Sequence, residues 1–192
     1  MVMNSSQMIA LGAEQLSPQI LGSALRWFAV TVHHQHEKAL AQHLADIGLE
    51  SFLPLYRTRR IWSDRVKELE LPLFPRYVFA RFAFRNRANV LRIPGVRGIV
   101  GFGKETAYIS ETEIAALKAM VSSGLPVQPW PYLKIGDWVR ITHGPLRGLE
   151  GILVRQKDSW RVVVSVHLLQ RSVAAEVSRL VITPAKRIPG MA

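Results

Sequence analysis

The sequence predicts an α+β fold, in which an antiparallel sheet with helices is followed by a small five-stranded β-barrel. Three observations lead to this prediction. Up to residue 121, apolar runs of period two are separated by amphipathic helical stretches. After residue 131, every apolar run is short and rich in β-branched residues. Between these halves, residues 122–131 contain three prolines and one glycine, a composition that interrupts helices and central strands.

The first predicted elements are a strand, a helix and a hairpin. Residues 26–34 alternate with period two, which predicts a strand buried on at least one side. In residues 36–47 the apolar positions recur at helical spacing and Gly48 stands where a C-terminal cap belongs, so we expect a helix there. The hairpin follows, with arms at residues 57–61 and 66–71 around a polar tip.

The strand that begins at Tyr77 carries apolar residues on both faces. Tyr77, Phe79 and Arg81 share one face, and the residues between them share the other. One face can enter the core of the domain, so the aromatic row on the other face needs a second layer or a partner. The two prolines that flank Phe74 cannot donate to a strand ladder, which predicts an edge or a bent entry into this strand.

Three further elements complete the amino-terminal domain. A short helix is predicted over residues 84–92 and a strand over residues 96–102. Ser110 and Glu113 have the spacing of a capping box, in which each side chain accepts the other residue's backbone N–H. The buried stripe of the helix that starts there is predicted to be Ile114, Leu117, Met120 and Val121. We expect these helices to form one layer on the sheet.

The carboxy-terminal domain is predicted to consist of short strands only. They lie at residues 138–142, 151–155, 160–168, 172–177 and 180–182. Five short strands favour a small barrel, because closure removes exposed edges, and its interior would contain Val162, Val164 and Val166. The predicted boundaries are a flexible tail at 1–24, the first domain at 25–121, a linker at 122–131, the second domain at 132–182 and a tail at 183–192.

The chain is strongly basic. Its formal net charge is +11 and its pI is about 10.7. Residues 57–104 hold twelve Lys or Arg against three Asp or Glu, and these basic residues are interleaved with aromatic ones. A basic surface concentrates phosphate polyanions by long-range attraction, so we expect an anionic partner or neighbourhood.

Other parts of the composition exclude classes of site. The sequence has no cysteine, which excludes disulfides, thiolate nucleophiles and cysteine-ligated metals and suits a reducing cytoplasm. No Lys or Arg precedes the apolar stretch in the first 24 residues, and Gln7, Glu14 and Gln15 interrupt it, so it makes a poor signal peptide. We expect a cytoplasmic monomer without membrane contacts.

The sharpest local motif lies in the predicted barrel, between Gly136 and Val154. A strand, a Gly-Pro turn and a second strand form one compact hairpin, in which glycines supply positive φ or close backbone approach. The residues that define it are Gly144, Pro145, Leu146, Gly148 and Gly151. The segment resembles the KOW motif of the NusG and Spt5 transcription factors and of several ribosomal proteins.

Four segments of the amino-terminal half look like the successive landmarks of the NusG amino-terminal (NGN) domain. They are Trp27-Phe28-Ala29-Val30, Pro72-Leu73-Phe74-Pro75-Arg76-Tyr77-Val78-Phe79, Pro94-Gly95-Val96, and Ile109-Ser110 with Glu113-Ile114. With the KOW motif, the chain resembles the NusG family across residues 25–182. Three segments are similar to the specialised UpxY and RfaH paralogues, which are operon-restricted antiterminators: Phe52-Leu53-Pro54-Leu55, Trp62-Ser63-Asp64-Arg65 and Pro72-Leu73-Phe74-Pro75.

The resemblance implies a factor that binds bacterial RNA polymerase, with no enzyme activity and no cofactor. In this family an apolar cavity of the NGN domain grips the β′ clamp helices, and a second contact to the β gate loop bridges the DNA cleft. The matching residues are Phe74, Tyr77 and Phe79 for the clamp, and Asn86, Arg87 and Asn89 for the gate loop. Holding the clamp closed would suppress pausing or termination by favouring one conformation of the polymerase.

The resemblance also implies further partners. Specialised members touch the non-template DNA strand, and the matching residues are His33, His43, Arg85 and Arg87, for which a solvated basic face is an equal alternative. NusG recruits Rho or a ribosomal protein through an aromatic residue after the Gly-Pro pair. Here that position is Leu146, which weighs against recruitment of Rho, while the ribosome stays open as a partner. The β-branched residues 162–166 disfavour refolding of the barrel into helices.

Other functions fit the sequence less well. Four histidines in residues 33–43 suggest a metal site, but no carboxylate lies beside a histidine pair at ligand spacing. The acidic pairs Glu68/Glu70 and Glu111/Glu113 belong to a hairpin arm and a capping box, which disfavours an acid–base enzyme. The alternative that stays open is a KOW-containing RNA- or ribosome-binding protein without polymerase contacts.

Overall fold

The structure is a computed structural model that describes residues 24–62, 65–102, 105–132, 136–156 and 159–185. Its helices are α1 (Glu37–Asp46), α2 (Arg87–Leu91) and α3 (Glu111–Ser122). Its strands are β1 (Leu25–Val32), β2 (Glu50–Phe52), β3 (Leu55–Trp62), β4 (Arg65–Pro72), β5 (Tyr77–Ala83), β6 (Val96–Ile99), β7 (Gly101–Phe102), β8 (Glu105–Thr106), β9 (Val127–Trp130), β10 (Asp137–Ile141), β11 (Glu150–Gln156), β12 (Ser159–Val166), β13 (Arg171–Val177) and β14 (Ile182–Pro184). The tails predicted at 1–24 and 183–192 lie largely outside the described residues.

The amino-terminal sheet is antiparallel and has the strand order β2-β5-β1-β6. On one of its faces, Phe28 and Phe82 pack in a cluster with residues of α1 and α2. On the other face, Trp27 and Phe79 pack in a cluster with residues of α3. Helices therefore cover both faces, and the prediction of a single helical layer is wrong. Both faces of β5 are apolar, so each needs its own cover.

Strands β3 and β4 form a separate two-stranded ribbon. Its register places Arg57 opposite Glu70 and Arg59 opposite Glu68, and both pairs form exposed salt bridges, of 3.3 and 3.0 Å. The ladder extends beyond the predicted arms at both ends. Residues 63 and 64, part of the predicted tip, lie outside the described residues.

Two predicted elements are divided in the structure. The helix predicted over residues 84–92 begins as a 3₁₀ turn, Phe84–Asn86, and becomes α-helical only in α2. The strand predicted over residues 96–102 breaks between β6 and β7 because the two segments have different partners. Strand β6 pairs with β1, whereas β7 pairs with β8.

The predicted capping box at the start of α3 is confirmed. Ser110 Oγ accepts the N–H of Glu113 at 3.2 Å, and the Glu113 carboxylate accepts the N–H of Ser110 at 3.2 Å. Ile114, Leu117 and Met120 form the buried stripe, and Val121 is partly buried beside it. None of the helices in the described residues has the length and apolar character needed to cross a membrane.

The carboxy-terminal sheet contains six strands in the order β14-β10-β11-β12-β13-β9. Strand β9 lies inside the predicted linker and pairs with β13, so part of that stretch is corrected from linker to strand. Its Pro129 is tolerated because β9 is the last strand in this order. Thr183 and Pro184, predicted as tail, belong to β14. Among the described residues no pairing joins β14 to β9, so closure into a barrel stays a prediction.

Candidate functional site

The approach to β5 is a tight turn. The N–H of Tyr77 donates to the carbonyl of Phe74 at 3.1 Å, and Arg76 adopts a φ of 71°. A proline at the second position and a positive φ at the third are features of a type II turn, where the third residue is usually glycine. The N–H of Arg76 donates to Oε1 of Glu37 at 2.8 Å. The bent entry is confirmed, and Glu37 is a partner that the sequence did not reveal.

Two of the three predicted clamp-binding residues are buried. The side chains of Phe74 and Phe79 are 1% and 0% exposed, and their rings meet edge to face with centroids 5.4 Å apart. Tyr77 is partly exposed, and the guanidinium of Arg171 lies 5.2 Å from its ring centroid. Arg171 belongs to β13, so the aromatic row of β5 has the second layer that its composition predicts.

One buried cluster joins the two sheets. It contains Trp27, Ala29, Leu73, Phe74, Phe79, Ile109, Ile114, Leu117, Met120, Val139, Ile141, Leu146, Leu149, Val162, Val164, Val166, Val173 and Ala175. The three valines of β12 that were predicted to be inside are among its members, whereas Val163 packs in a smaller cluster with Ile152 and Ala174. The face of the amino-terminal sheet that carries Phe79 is thus covered by α3 and by the carboxy-terminal sheet.

A polar contact accompanies this apolar cover. Oε1 of Glu113 accepts the backbone N–H of His167 at 2.9 Å, while Oε2 of the same carboxylate caps α3. The ring of His167 is held in turn, because its Nδ1 lies 2.8 Å from the hydroxyl of Tyr132. The sequence predicted the local role of Glu113. Its contact with a residue 54 positions away left no sequence signal.

A charge network lies beside the cluster on the same face of the amino-terminal sheet. Lys118 Nζ contacts Glu50 at 2.9 Å, Arg81 contacts both Glu50 and Glu111, and Trp27 Nε1 donates to Glu111 at 3.0 Å. The hydrogen bond from Lys118, together with the charges of Lys118 and Arg81, lowers the pKa of Glu50, although partial burial opposes the shift. Two cations face two carboxylates, so this edge of the site is electrically neutral.

The residues predicted to contact DNA do not form one cluster. His33 follows the carboxyl end of β1, and His43 lies on the exposed side of α1. Arg85 and Arg87 follow the carboxyl end of β5, which is antiparallel to β1 with Leu25 opposite Ala83. His33 and the two arginines therefore lie near opposite ends of the sheet, roughly 20 Å apart along the strands at about 3.3 Å per residue.

The predicted gate-loop residues lie together at one end of the sheet. Asn86 is partly buried in the 3₁₀ turn, and Arg87 and Asn89 are exposed in the first turn of α2. The guanidinium of Arg87 lies 4.5 Å from the ring centroid of Phe84, which orients it at the surface. Between Glu70 and Glu105 the sequence contains no acidic residue, so no near neighbour in the sequence compensates the charges of Arg85 and Arg87.

The glycines of the predicted KOW motif have the conformations expected of them. Gly144 and Gly148 both adopt a φ of 86°. A Cβ on Gly151 would lie 2.6 Å from the carbonyl oxygen of Val163, so only glycine fits there. Leu146, which replaces the expected aromatic residue, is 2% exposed and belongs to the cluster that joins the sheets. In this arrangement it is not available to a partner.

A family model agrees with the amino-terminal resemblance. Residues 25–118, from β1 into α3, match the family model described as NusG, Transcription termination factor nusG. A solved structure described as domain interaction in Thermotoga maritima NusG is 18% identical, with a TM-score of 0.49. The match covers 85% of this chain and 98% of the Thermotoga maritima chain. Two structures of the MjSpt4:Spt5 complex, conformations B and A, are 19% and 18% identical, with TM-scores of 0.29 and 0.28. They cover 84% of this chain and 97% and 99% of their own.

Proposed function

Because residues 25–118 match the family model of NusG, described as a transcription termination factor, we propose that the protein binds bacterial RNA polymerase in the cytoplasm and suppresses pausing or termination. The activity is operon-specific, as in the UpxY and RfaH paralogues that the sequence resembles. The binding face is the aromatic face of β5, with Phe74, Tyr77 and Phe79 as anchors for the β′ clamp helices. The family match carries this proposal, and buried aromatic anchors are the side chains that dominate the binding energy of such interfaces.

The geometry of β5 supports a factor that bridges two parts of the polymerase. Tyr77 lies at the start of this strand, and the gate-loop residues Asn86, Arg87 and Asn89 follow its end. Tyr77 and Ala83 are roughly 20 Å apart along the strand at about 3.3 Å per residue. Two contacts at opposite ends of one rigid strand fix a distance between the two polymerase subunits, which favours the closed clamp without making or breaking a bond.

The clamp helices and the carboxy-terminal sheet compete for one surface in this proposal. Phe74 and Phe79 are buried in the cluster that joins the sheets, so the carboxy-terminal sheet must separate before they can contact the polymerase. The apparent affinity for polymerase is then reduced by the fraction of molecules in which the sheets are apart. Tyr77 is the anchor that needs the smallest rearrangement, since it is already partly exposed beneath Arg171.

The remaining partners follow from exposed charge and from the KOW loop. His33, His43, Arg85 and Arg87 are exposed, and we assign them to phosphates of the non-template strand. Because His33 lies at the opposite end of the sheet from Arg85 and Arg87, these residues contact separate parts of the DNA. Rho and the ribosome, the candidate partners of the KOW loop, also require the open arrangement, since Leu146 is buried.

Co-purification with RNA polymerase after nuclease treatment tests the proposal. The variant is Tyr77→Ala, which truncates the accessible anchor and keeps the backbone hydrogen bond to Phe74. The matched control is Tyr108→Ala, which truncates a tyrosine that is 56% exposed on the same domain. We expect wild type and the control to retain polymerase, and Tyr77→Ala to lose most of it, because truncating such an anchor costs about 2 kcal/mol or more.

Two outcomes would contradict the proposal. Equal retention of polymerase by Tyr77→Ala and Tyr108→Ala would place the contact elsewhere on the domain. Absence of polymerase from every sample, with RNA or ribosomes retained when the nuclease is omitted, would favour the RNA- or ribosome-binding alternative.

A further inference from the structure

A cavity of about 960 Å³ opens between the β3–β4 ribbon and the edge of the carboxy-terminal sheet formed by β9 and β13, beside the start of α1. Glu37 and Tyr56 line it from the amino-terminal half, and Trp130, Tyr132 and Arg171 line it from the carboxy-terminal half. Its volume is that of an ordinary small-molecule site, which is typically about 300–1,000 Å³. No part of the function proposed above uses this cavity.

The cavity contains a carboxylate with unused hydrogen-bonding capacity. Glu37 is only 5% exposed, and within the described residues its one hydrogen bond is from the N–H of Arg76 to Oε1. A carboxylate can accept about four hydrogen bonds. Oε2 has no hydrogen-bond partner. It is not completely buried either, because in the described residues the one completely buried side-chain N or O atom without a partner is Arg81 Nε. Oε2 is therefore accessible, and Glu37 is a lining residue of this cavity.

The walls of the cavity are aromatic. Tyr56, Trp130 and Tyr132 are partly exposed and line the same space as Glu37. Aromatic faces attract ammonium and guanidinium groups, and they also bury apolar surface. The protein already uses such contacts elsewhere, because Lys118 Nζ lies 4.6 Å from the ring centroid of Trp27. A carboxylate and aromatic rings that line one cavity suit an organic cation.

The other charges at the cavity limit the charge of the ligand. Arg171 and His34 line it, and both are exposed to solvent, where their charges are screened. The guanidinium of Arg171 is held over Tyr77. One buried carboxylate can balance one positive charge, so a ligand with several cations has no second partner in the lining.

We propose that this cavity binds a monovalent amphipathic cation, one ammonium or guanidinium group on an apolar stem, with its charge on Glu37. Both halves of the chain line the site, so it is complete only while the sheets are packed together. Binding therefore stabilises this closed arrangement by mass action. A free amine and a Lys or Arg side chain of a peptide offer the same chemistry, and the choice of probe separates them.

Isothermal titration calorimetry measures binding of small probes to the full chain and tests the site in the absence of polymerase. The probes are 2-phenylethylammonium, its neutral counterpart 3-phenylpropanol, and a capped Lys-Pro dipeptide. The central variant is Glu37→Gln, which removes the charge and keeps an acceptor for the N–H of Arg76. Glu68→Gln on the exposed ribbon is the matched control, and Tyr56→Ala is a second variant that leaves Glu37 in place.

We expect at least one of the two cations to bind saturably, and the cation that binds identifies the source. Its affinity should fall about tenfold or more in Glu37→Gln and in Tyr56→Ala and be unchanged in Glu68→Gln, and the alcohol should bind about tenfold more weakly. Equal binding of the alcohol, wild-type affinity in Glu37→Gln, or no saturation by either cation up to about 10 mM would overturn the proposal. Since polymerase is absent from the titration, these outcomes are independent of the proposed transcription function.

Discussion

Oε1 of Glu113 accepts the backbone N–H of His167 at 2.9 Å while Oε2 of the same carboxylate caps α3. One side chain therefore stabilises both a helix and the contact between the two sheets. Hydrogen bonds to a charged acceptor contribute about 1.5–3 kcal/mol, which is enough to shift an equilibrium between packed and separated sheets by about tenfold or more. Glu113 is thus the polar residue most directly linked to how accessible Phe74 and Phe79 are.

We predict that Glu113→Ala increases the fraction of molecules with separated sheets. The chain has no cysteine, so cysteines introduced at Ala45 and Leu180, both exposed, can carry a pair of spin labels. The distance distribution between the labels should broaden and lengthen in Glu113→Ala. Ser110→Ala is the matched control, since it removes the hydroxyl half of the capping box but leaves the contact with His167. The same broadening in both variants would show that the cap, and not the contact between sheets, controls the arrangement.

Arg76→Gly should leave the free energy of unfolding unchanged or raise it by up to about 1 kcal/mol. Arg76 has a φ of 71°, a conformation that costs a residue with a Cβ about 1–2 kcal/mol and costs glycine nothing. Part of this gain is lost, because glycine also increases the entropy of the unfolded chain. The control Arg97→Gly, in β6, should lower the free energy of unfolding by about 0.5–1 kcal/mol. Urea denaturation of both variants checks the prediction. A clear loss of stability in Arg76→Gly would mean that its side chain, and not its backbone, supports the turn.

Gly151→Ala should destabilise the carboxy-terminal sheet by about 1–3 kcal/mol, because the added Cβ would lie 2.6 Å from the carbonyl oxygen of Val163 and 2.8 Å from Cγ1 of Val162. Gly98→Ala is the control in the other sheet, where the nearest atom, Oγ1 of Thr31, would be at an ordinary 3.6 Å. Thermal unfolding followed by calorimetry compares them. Equal melting temperatures for the two variants would contradict the close approach at Gly151.

The stability of the amino-terminal domain should fall as acid protonates Glu50. The pKa of Glu50 is lower in the folded protein than in the unfolded chain, where it is about 4.5. The ionised side chain therefore stabilises the folded state above that pH, and this stabilisation is lost as the pH falls through the pKa of the folded protein. The ion pair with Lys118 is partly exposed, so the effect should stay below about 1 kcal/mol. Urea denaturation between pH 3 and pH 7 should show a shallower acid decline in both Glu50→Gln and Lys118→Met. If stability declined in acid as steeply in both variants as in wild type, the role of Glu50 would be contradicted.

The sequence predicted what depends on local pattern. The period-two faces of β5, the capping box at Ser110 and Glu113, and the left-handed glycines all follow from spacing and residue type, and the structure confirms them. The second helical layer was missed because periodicity shows that two faces are apolar but not what covers each. Strand β9 was missed because Pro129 within it and the prolines on either side weigh against a strand, whereas an edge position tolerates Pro129.

In the candidate site, too, the features set by local sequence were predicted and those set by tertiary contacts were not. The turn at Phe74 and the aromatic face of β5 follow from local sequence. The burial of that face depends on residues far away in the sequence, and the contact between Glu113 and His167, 54 positions apart, is an example. Arg171 over Tyr77 and Glu37 at the N–H of Arg76 are also long-range pairs. A single sequence contains no pattern that links such positions.

The central claim is that polymerase and the carboxy-terminal sheet compete for the face of Tyr77. The most direct measurement is a titration of purified bacterial RNA polymerase into fluorescently labelled wild type, Glu113→Ala and the double variant Glu113→Ala/Tyr77→Ala. We predict that Glu113→Ala binds about tenfold more tightly than wild type, and that adding Tyr77→Ala weakens this binding by about thirtyfold or more. Equal affinities for Glu113→Ala and the double variant would contradict the claim, as would binding by wild type that is no weaker than by Glu113→Ala.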